Sequence, residues 1–307
     1  MQLHDKIREI EFDRTRGASQ LAREALNVLK LLAYNSKNKT SEQFIRDFKK
    51  LGKKLLEIKP NMAPIQNLVA QIIYEIDASK EHDPASIRKS AISRINELRQ
   101  QSKNAVKKTA EWGATIISSS DQLATCSYSS TVYETLKAAK KQGKIFKVFI
   151  AESKTENNNL QHGQTMATSL KSIKITAEVF PDNEIRKYIP KAKYVLVGAD
   201  SLLHDGSIIN GTPTHKVTLK AKEIEIPVYS VCETAKVNTL NYLGKKIDLE
   251  KGFELVPSNL ISKIITERGI LDSTKIAEIA KEKSKFFEPA LKPEKRLNKN
   301  THASSTY

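Results

Sequence analysis

The 307-residue sequence predicts an α/β protein, with an N-terminal helical domain followed by a C-terminal Rossmann-like domain on a parallel sheet. Three observations carry this prediction. Up to about residue 108 the apolar residues recur at helical spacing, as in Leu21, Ala22, Ala25, Leu26, Leu29 and Leu32. From about Thr109 short apolar runs alternate with helical stretches, the signature of a parallel sheet. Tyr194 to Val197 is a β-favouring run suited to a strand buried on both faces, and Gly198 and Asp200 follow it. Ligands of open α/β sheets bind just past such carboxyl ends. The bland alternative for Asp200 is a turn cap. The expected boundaries are 1–108 for the helical domain, 109–280 for the sheet domain and 281–307 for a basic, disordered tail.

Each element has its own reason. Gln20 to Ala33 is a predicted helix with Ser19 as its N-cap. Arg16-Gly17-Ala18-Ser19 stands at its entrance. Free N–H groups, the helix dipole and an arginine there suit a phosphate, although the residues alone favour a plain cap beside a solvated arginine. Ser41 to Ile58 is amphipathic through Phe44, Ile45, Phe48, Leu51, Leu55 and Leu56, and Pro60 ends it. Ile65 to Asp77 and Pro84 to Ala110 supply two more helices. Ala114 to Ile117 and Gln122 to Thr125 are the first strand candidates, and Cys126 to Thr131 is a polar turn. Val132 to Gln142 is helical, with Gly143 placed to close it. Strands follow at Phe146–Ala151, Thr176–Phe180, Tyr194–Val197 and Val228–Cys232. Helices are expected at 161–173, 183–189 and 216–223, and Asn210 to Thr214 reads as a polar loop.

Composition narrows the class. The chain has 51 Lys plus Arg against 35 Asp plus Glu, a net charge of +16, so acidic partners such as RNA, nucleotides or acidic proteins are favoured. Ordinary solvated lysines account for the excess as well. No apolar run is long enough for a membrane span, and the N-terminus lacks a signal-peptide core. Two cysteines, Cys126 and Cys232, make no disulfide framework and no metal spacing. A cytoplasmic location is expected, with no metal, no cofactor and no membrane partner.

One stretch resembles a known family. Val197-Gly198-Ala199-Asp200, Asp205-Gly206-Ser207-Ile208-Ile209-Asn210, Ala221-Lys222-Glu223 and Ile226-Pro227-Val228-Tyr229 are similar to the family of the alpha, beta and delta subunits of eukaryotic translation initiation factor 2B. Archaeal factor 2B-like proteins belong to it, as do isomerases of ribose 1,5-bisphosphate and of methylthioribose 1-phosphate. Arg16-Gly17-Ala18 resembles the element that helps hold a substrate phosphate in the isomerases. Lys59-Pro60-Asn61, with Asn67, resembles an Arg-Pro-Thr stretch, with Lys59 in place of the arginine. Cys232-Glu233-Thr234 with Lys236 looks like the delta-subunit version of its element. The resemblance runs from about Arg16 to Ile270 and is strongest from Tyr194 to Lys236.

The resemblance implies a chemistry and a departure from it. The isomerases use a cysteine as acid and an aspartate as base, and Asp200 matches the aspartate. The cysteine is third in Thr-His-Cys-Asn-Ser. Here the segment is Thr125-Cys126-Ser127-Tyr128-Ser129, which puts Ser127 at the acid position and Cys126 one residue early. A hydroxyl is a far weaker acid than a thiol, and successive side chains of an extended segment diverge. The isomerases' Asn-Lys becomes Asn210-Gly211, and their Glu-Thr-Arg-Pro becomes Glu152-Ser153-Lys154-Thr155, so an arginine fork is lost.

Three readings follow. The first is a non-catalytic factor 2B-like regulatory protein with a retained phosphosugar- or nucleotide-binding pocket. The second is a ribose 1,5-bisphosphate isomerase with Cys126 and Asp200 as its catalytic pair. The third is an RNA-binding protein that uses the basic tail. The pocket is expected between the domains, lined by Arg16, Gly17, Ala18, Cys126, Ser127, Asp200 and Asn210. The resemblance also implies a homodimer or larger assembly, and translation initiation factor 2 or related subunits as partners.

Overall fold

The computed structural model describes residues 3–154 and 161–291. Five helices come first: α1 (Leu3–Phe12), α2 (Ala18–Asn35), α3 (Ser41–Glu57), α4 (Ala63–Asp77) and α5 (Pro84–Thr115). Their boundaries follow local chemistry. Thr40 Oγ1 accepts from the amide of Gln43 at 3.2 Å and caps α3. Asp83 accepts from Ser86 at 2.7 Å and caps α5, with Pro84 in its first turn. The apolar stripes then meet. Leu21, Leu26 and Leu29 of α2, Phe44 and Phe48 of α3, Ile65 and Ile72 of α4 and Ile87 and Ile95 of α5 form one buried cluster.

The sheet follows: β1 (Gln122–Cys126), α6 (Ser130–Lys141), β2 (Lys147–Ala151), α7 (His162–Ser172), β3 (Thr176–Phe180), α8 (Ile185–Tyr188) and β4 (Tyr194–Val197). After β5 (Ser201–Leu202) and β6 (Ile208–Gly211) come α9 (Thr214–Glu223), β7 (Val228–Val231), α10 (Thr239–Tyr242) and β8 (Phe253–Val256). The described chain closes with β9 (Lys263–Thr266), β10 (Gly269–Leu271), α11 (Ser273–Ser284) and α12 (Glu288–Leu291). The main sheet runs β10-β9-β7-β4-β1-β2-β3, parallel except for β10. Its two faces carry separate cores. Residues of α5, α6 and α7 pack on one face, and residues of α8, α9 and α11 on the other.

This order positions the site. From β1 the chain winds outward through β2 and β3, then returns to place β4 on the other side of β1 and winds away through β7 and β9. The direction reverses between β1 and β4, and that is where doubly wound sheets leave a crevice at their carboxyl ends. Ser127 follows β1 and Asp200 follows β4.

Several expectations are corrected. Ala114–Ile117 is no strand, since α5 continues to Thr115 and buries Ala110 and Ala114 against the sheet. Ser19 is no cap: Gly17 is, and Ser19 lies in the first turn of α2. Asn210–Thr214 is not a loop. Ile208 to Gly211 pairs with β8, more than forty residues later, in a small antiparallel sheet with β5. The tail does not begin at Lys281. Residues 281–291 continue through α11 and α12, and Phe287 is buried against Ala70 and Leu240, which anchors them to α4. The remaining tail cations, Lys292, Lys295, Arg296 and Lys299, lie outside the described residues. No described helix is long and apolar enough to cross a membrane.

Candidate functional site

At the crevice lies a cavity of about 140 Å³. It is built by two helix starts that touch. Gly17 caps α2, and a Cβ added there would come within 2.8 Å of Ser130 Oγ at the start of α6. Ser129 caps α6 by accepting from Val132 at 3.3 Å. Gly198 lets the end of β4 press against that cap, since any Cβ would collide with Ser129 Oγ. The first turns of two long helices therefore open on one cavity, an arrangement that favours an anion.

The side chains strengthen that preference. Five cations, Arg14, Arg16, Lys59, Lys236 and Lys251, line the cavity against three carboxylates, Asp13, Asp200 and Glu250. Arg16 is held in place. Its Nε donates to Asp13 at 2.7 Å and its guanidinium reaches Glu9 at 3.1 Å. Burial works against the Asp13 carboxylate, but hydrogen bonds from Arg16 and Thr15 outweigh it and hold Asp13 at about 2. Lys59 is buried and donates from Nζ to the carbonyl of Asp13 at 2.9 Å, and burial pushes its pKa down.

Beneath the cavity sits a buried ion pair. Lys236 Nζ lies 3.4 Å from Glu233, and both residues are nearly inaccessible. Glu233 also accepts from Ser19 at 3.1 Å and from Thr131 at 2.9 Å. One carboxylate thus ties the first turns of α2 and α6 to the segment after β7. Burial opposes the charge on both partners, and their mutual attraction keeps both ionised.

Asp200 faces the cavity, and its carboxylate makes no hydrogen bond among the described residues. Burial raises it to about 6, with Lys236 and Lys59 pulling the other way and Glu233 adding to the rise. It is therefore a carboxylate close to its titration point at neutral pH. Ser127 also lines the cavity. Its backbone is left-handed, φ 59°, and its amide donates to Ser153 Oγ at 2.7 Å. Asn210 donates to Thr214 Oγ1 at 3.0 Å at the cavity edge. His162 enters from the start of α7, with its pKa lowered by burial.

Six of the seven expected residues, Arg16, Gly17, Ala18, Ser127, Asp200 and Asn210, meet here. Cys126 does not line the cavity. Along β1 the side chains alternate, and Cys126 shares with Ala124 the face packed beneath α9. Its Sγ lies 3.3 Å from Thr214 Oγ1, and burial pushes the thiol up to about 12. The left-handed turn at Ser127 then carries the chain into the cavity. Gly211 lies opposite, and a Cβ there would sit 3.6 Å from Ser127 Oγ. The lysine of the isomerase motif would therefore enter beside Ser127, and in this chain that space is open. Lys59 and Lys236, which belong to the motifs of the resemblance, also line the cavity. His162 and the 250–252 loop gave no signal, because neither their spacing nor their composition points at a site.

A model of the Initiation factor 2 subunit family matches residues 14–252. The chain belongs to this family. Two of its relatives carry different kinds of name. One, from Pyrococcus furiosus, is named as a translation initiation factor eIF-2B subunit 2-like protein. It is 30% identical over 86% of this chain and 94% of that protein. Another from the same organism, named ribose 1,5-bisphosphate isomerase, is 27% identical over 92% of this chain and 93% of its own. Among solved structures, the translation initiation factor eIF-2B of Pyrococcus horikoshii superposes with a TM-score of 0.75 at 26% identity, covering 88% of this chain and 96% of that one. A chain of the tetrameric eIF2B-beta2-delta2 complex of C. thermophilum gives 0.74 at 18% identity over 92% and 94%, a likeness of fold. Family membership thus leaves both the factor-like and the isomerase reading open.

Proposed function

We propose that this member of the Initiation factor 2 subunit family is a factor 2B-like regulatory protein that binds a phosphorylated sugar or nucleotide and does not turn it over. The observation that carries this reading is the pair of positions after β1. Ser127 lines the cavity, while the thiol one residue earlier, Cys126, is buried behind the cavity edge against Thr214 and does not line it. Arg16, the two helix starts, Lys59 and Lys236 line the cavity and support the binding half of this reading. The thiol acid is not among them. Aldose–ketose isomerisation moves a proton between two carbons while another proton is exchanged at the sugar oxygens, so it needs a second proton-transfer group beside the base. A serine hydroxyl is a poor one.

A second reading stands on Asp200. With a pKa near 6 and no hydrogen bond, its carboxylate suits the removal of a proton from carbon 2 of a phosphorylated aldose and its return to carbon 1. The relative named ribose 1,5-bisphosphate isomerase matches almost the whole chain, so this reading remains beside the first. Partners of the initiation factor 2 kind and assembly of two or more copies go with the first reading, and sedimentation of the purified chain measures the assembly.

Calorimetry with ribose 5-phosphate tests the binding half common to both readings. Wild type is expected to bind, and Arg16→Ala to bind about tenfold or more weakly, because a charge-assisted contact to phosphate is lost. Equal affinity in the two proteins would remove Arg16 and its helix start from the site.

A further inference from the structure

The exposed residues among those lining the cavity mark its mouth. Arg14 and Thr15 form one rim, and Thr212, Lys251 and Gly252 form the other. The second rim belongs to an irregular strap, 243–252, that joins α10 to β8. The strap is exposed over most of its length, with Ile247 and Glu250 half-buried. Left-handed glycines stand near its two ends, Gly244 at φ 85° and Gly252 at φ 93°. A side chain at either would meet no neighbour, but it would have to adopt a conformation that L residues disfavour.

The middle of the strap is held by one side chain from the turn between α3 and α4. Asn61 Nδ2 donates to the carbonyl of Asp248 at 2.9 Å, and Asn61 Oδ1 accepts from the amide of Glu250 at 2.8 Å. Asn61 is itself inaccessible and fixed in place. Its carbonyl accepts from Ser201 Oγ of β5 at 2.9 Å, and that hydroxyl accepts in turn from the amide of Ala63 at 3.2 Å. Two residues earlier, Lys59 Nζ grips the other rim through the carbonyl of Asp13. One turn therefore holds both rims. Asn61 does not line the cavity, so its hydrogen bonds shape the entrance and not the floor. Glu250 makes the strap the part of the wall that an anion disturbs. Burial and Arg14 work against the charge on Lys59, and Glu250 is first among the acids that support it. A phosphoryl group entering the cavity competes with Glu250 for that ammonium and repels its carboxylate.

We propose that Asn61 is a positioning residue that latches the 243–252 strap across the cavity mouth and so sets how fast a phosphorylated ligand enters and leaves. The proposal rests on the reading of the cavity as a ligand site. Asn61 touches no ligand and acts through the strap. Losing its two hydrogen bonds frees backbone groups on an exposed segment, which water then satisfies, so the fold survives and the strap opens more often.

Access to the cavity is measured first, without any ligand. Ser127→Cys places a thiol inside the mouth, beside Gly211 and near the Gly252 carbonyl, while the native thiols of Cys126 and Cys232 are buried. Iodoacetamide labelling read by mass spectrometry reports each thiol separately. Adding Asn61→Ala to this background is expected to speed labelling at position 127 about tenfold, with Cys126 and Cys232 unchanged, as the loss of one or two hydrogen bonds from a local opening equilibrium does. An unchanged rate at position 127 overturns the proposal. So does equal acceleration at all the thiols, which is general loosening. If Asn61→Ala does not fold, Gly244→Ala takes its place, because it strains the strap away from the cavity, and the same outcomes apply. Stopped-flow binding of ribose 5-phosphate to chains that keep Ser127 then reads the gate. Asn61→Ala is expected to raise the association and dissociation rate constants together by about tenfold and to leave the affinity within about threefold of wild type. Weaker binding through faster dissociation alone is ordinary structural damage and overturns the gate. A wild type that binds no ribose 5-phosphate removes the ligand reading, and the labelling then decides the latch. Normal binding with unchanged labelling removes the latch and leaves the ligand reading standing.

Discussion

Asp200 shows what a single side chain contributes. Its value of about 6 lies above the ordinary carboxylate value of about 3.9, so the fold favours its protonated form. The penalty for holding it ionised is fully present above pH 6 and disappears as the pH falls toward 4. Asp200→Asn is therefore expected to stabilise the chain by on the order of 2–3 kcal/mol at pH 8 and by little near pH 4. Urea unfolding at the two pH values reads this difference. A variant less stable than wild type at pH 8 would mean that Lys236 and Lys59 outweigh burial. At this scale the sequence was informative where backbone geometry decides. A strand followed by Gly198 placed Asp200, while the left-handed turn at Ser127, just past the end of β1, separates it from Cys126. It was uninformative where distant segments decide, as for His162 and the 250–252 loop.

At the scale of elements, the site depends on two helix starts held together from below. Glu233 does this through Ser19, Thr131 and Lys236. Glu233→Ala leaves a buried ammonium without its partner and two hydroxyls without their acceptor, and is expected to cost about 3–5 kcal/mol. Glu233→Gln keeps a hydrogen-bond acceptor and is expected to fall between the alanine variant and wild type. Equilibrium denaturation ranks the three, and near-equality of the alanine variant with wild type would contradict the proposed tie. The helices and parallel strands were legible because their periods are local. The small β5-β6-β8 sheet was not. Ile208 to Gly211 is four residues long and pairs with Phe253–Val256, a contact that no window of the sequence contains.

For the whole molecule, the main question is how the helical portion stays registered on the sheet. The described C-terminal residues return from α11 to α4. Phe287 is buried with Ala70 and Leu240, Phe286 meets Tyr74 edge-on at 5.5 Å, and Lys283 donates to the carbonyl of Thr234 at 2.6 Å. Phe287→Ala is expected to destabilise by about 3–5 kcal/mol, as a large buried aromatic lost from a core does. A loss under about 1 kcal/mol would show that this return segment is not part of the folded unit. Composition alone read the segment as tail, because lysines dominate it and its two phenylalanines are invisible without their distant partners. The alternation of strands and helices implied a parallel sheet but not its strand order, and that order places the crevice where six of the seven expected residues meet.

The central claim is that this crevice keeps the binding half of a sugar-phosphate isomerase without its thiol acid. The most direct measurement is ribulose 1,5-bisphosphate formation from ribose 1,5-bisphosphate by the purified chain, beside Cys126→Ser. Binding without detectable turnover in either protein is the expected result, since losing a general acid removes about 10²- to 10⁴-fold. Rapid wild-type turnover abolished by Cys126→Ser would contradict the account and place the buried thiol in the reaction.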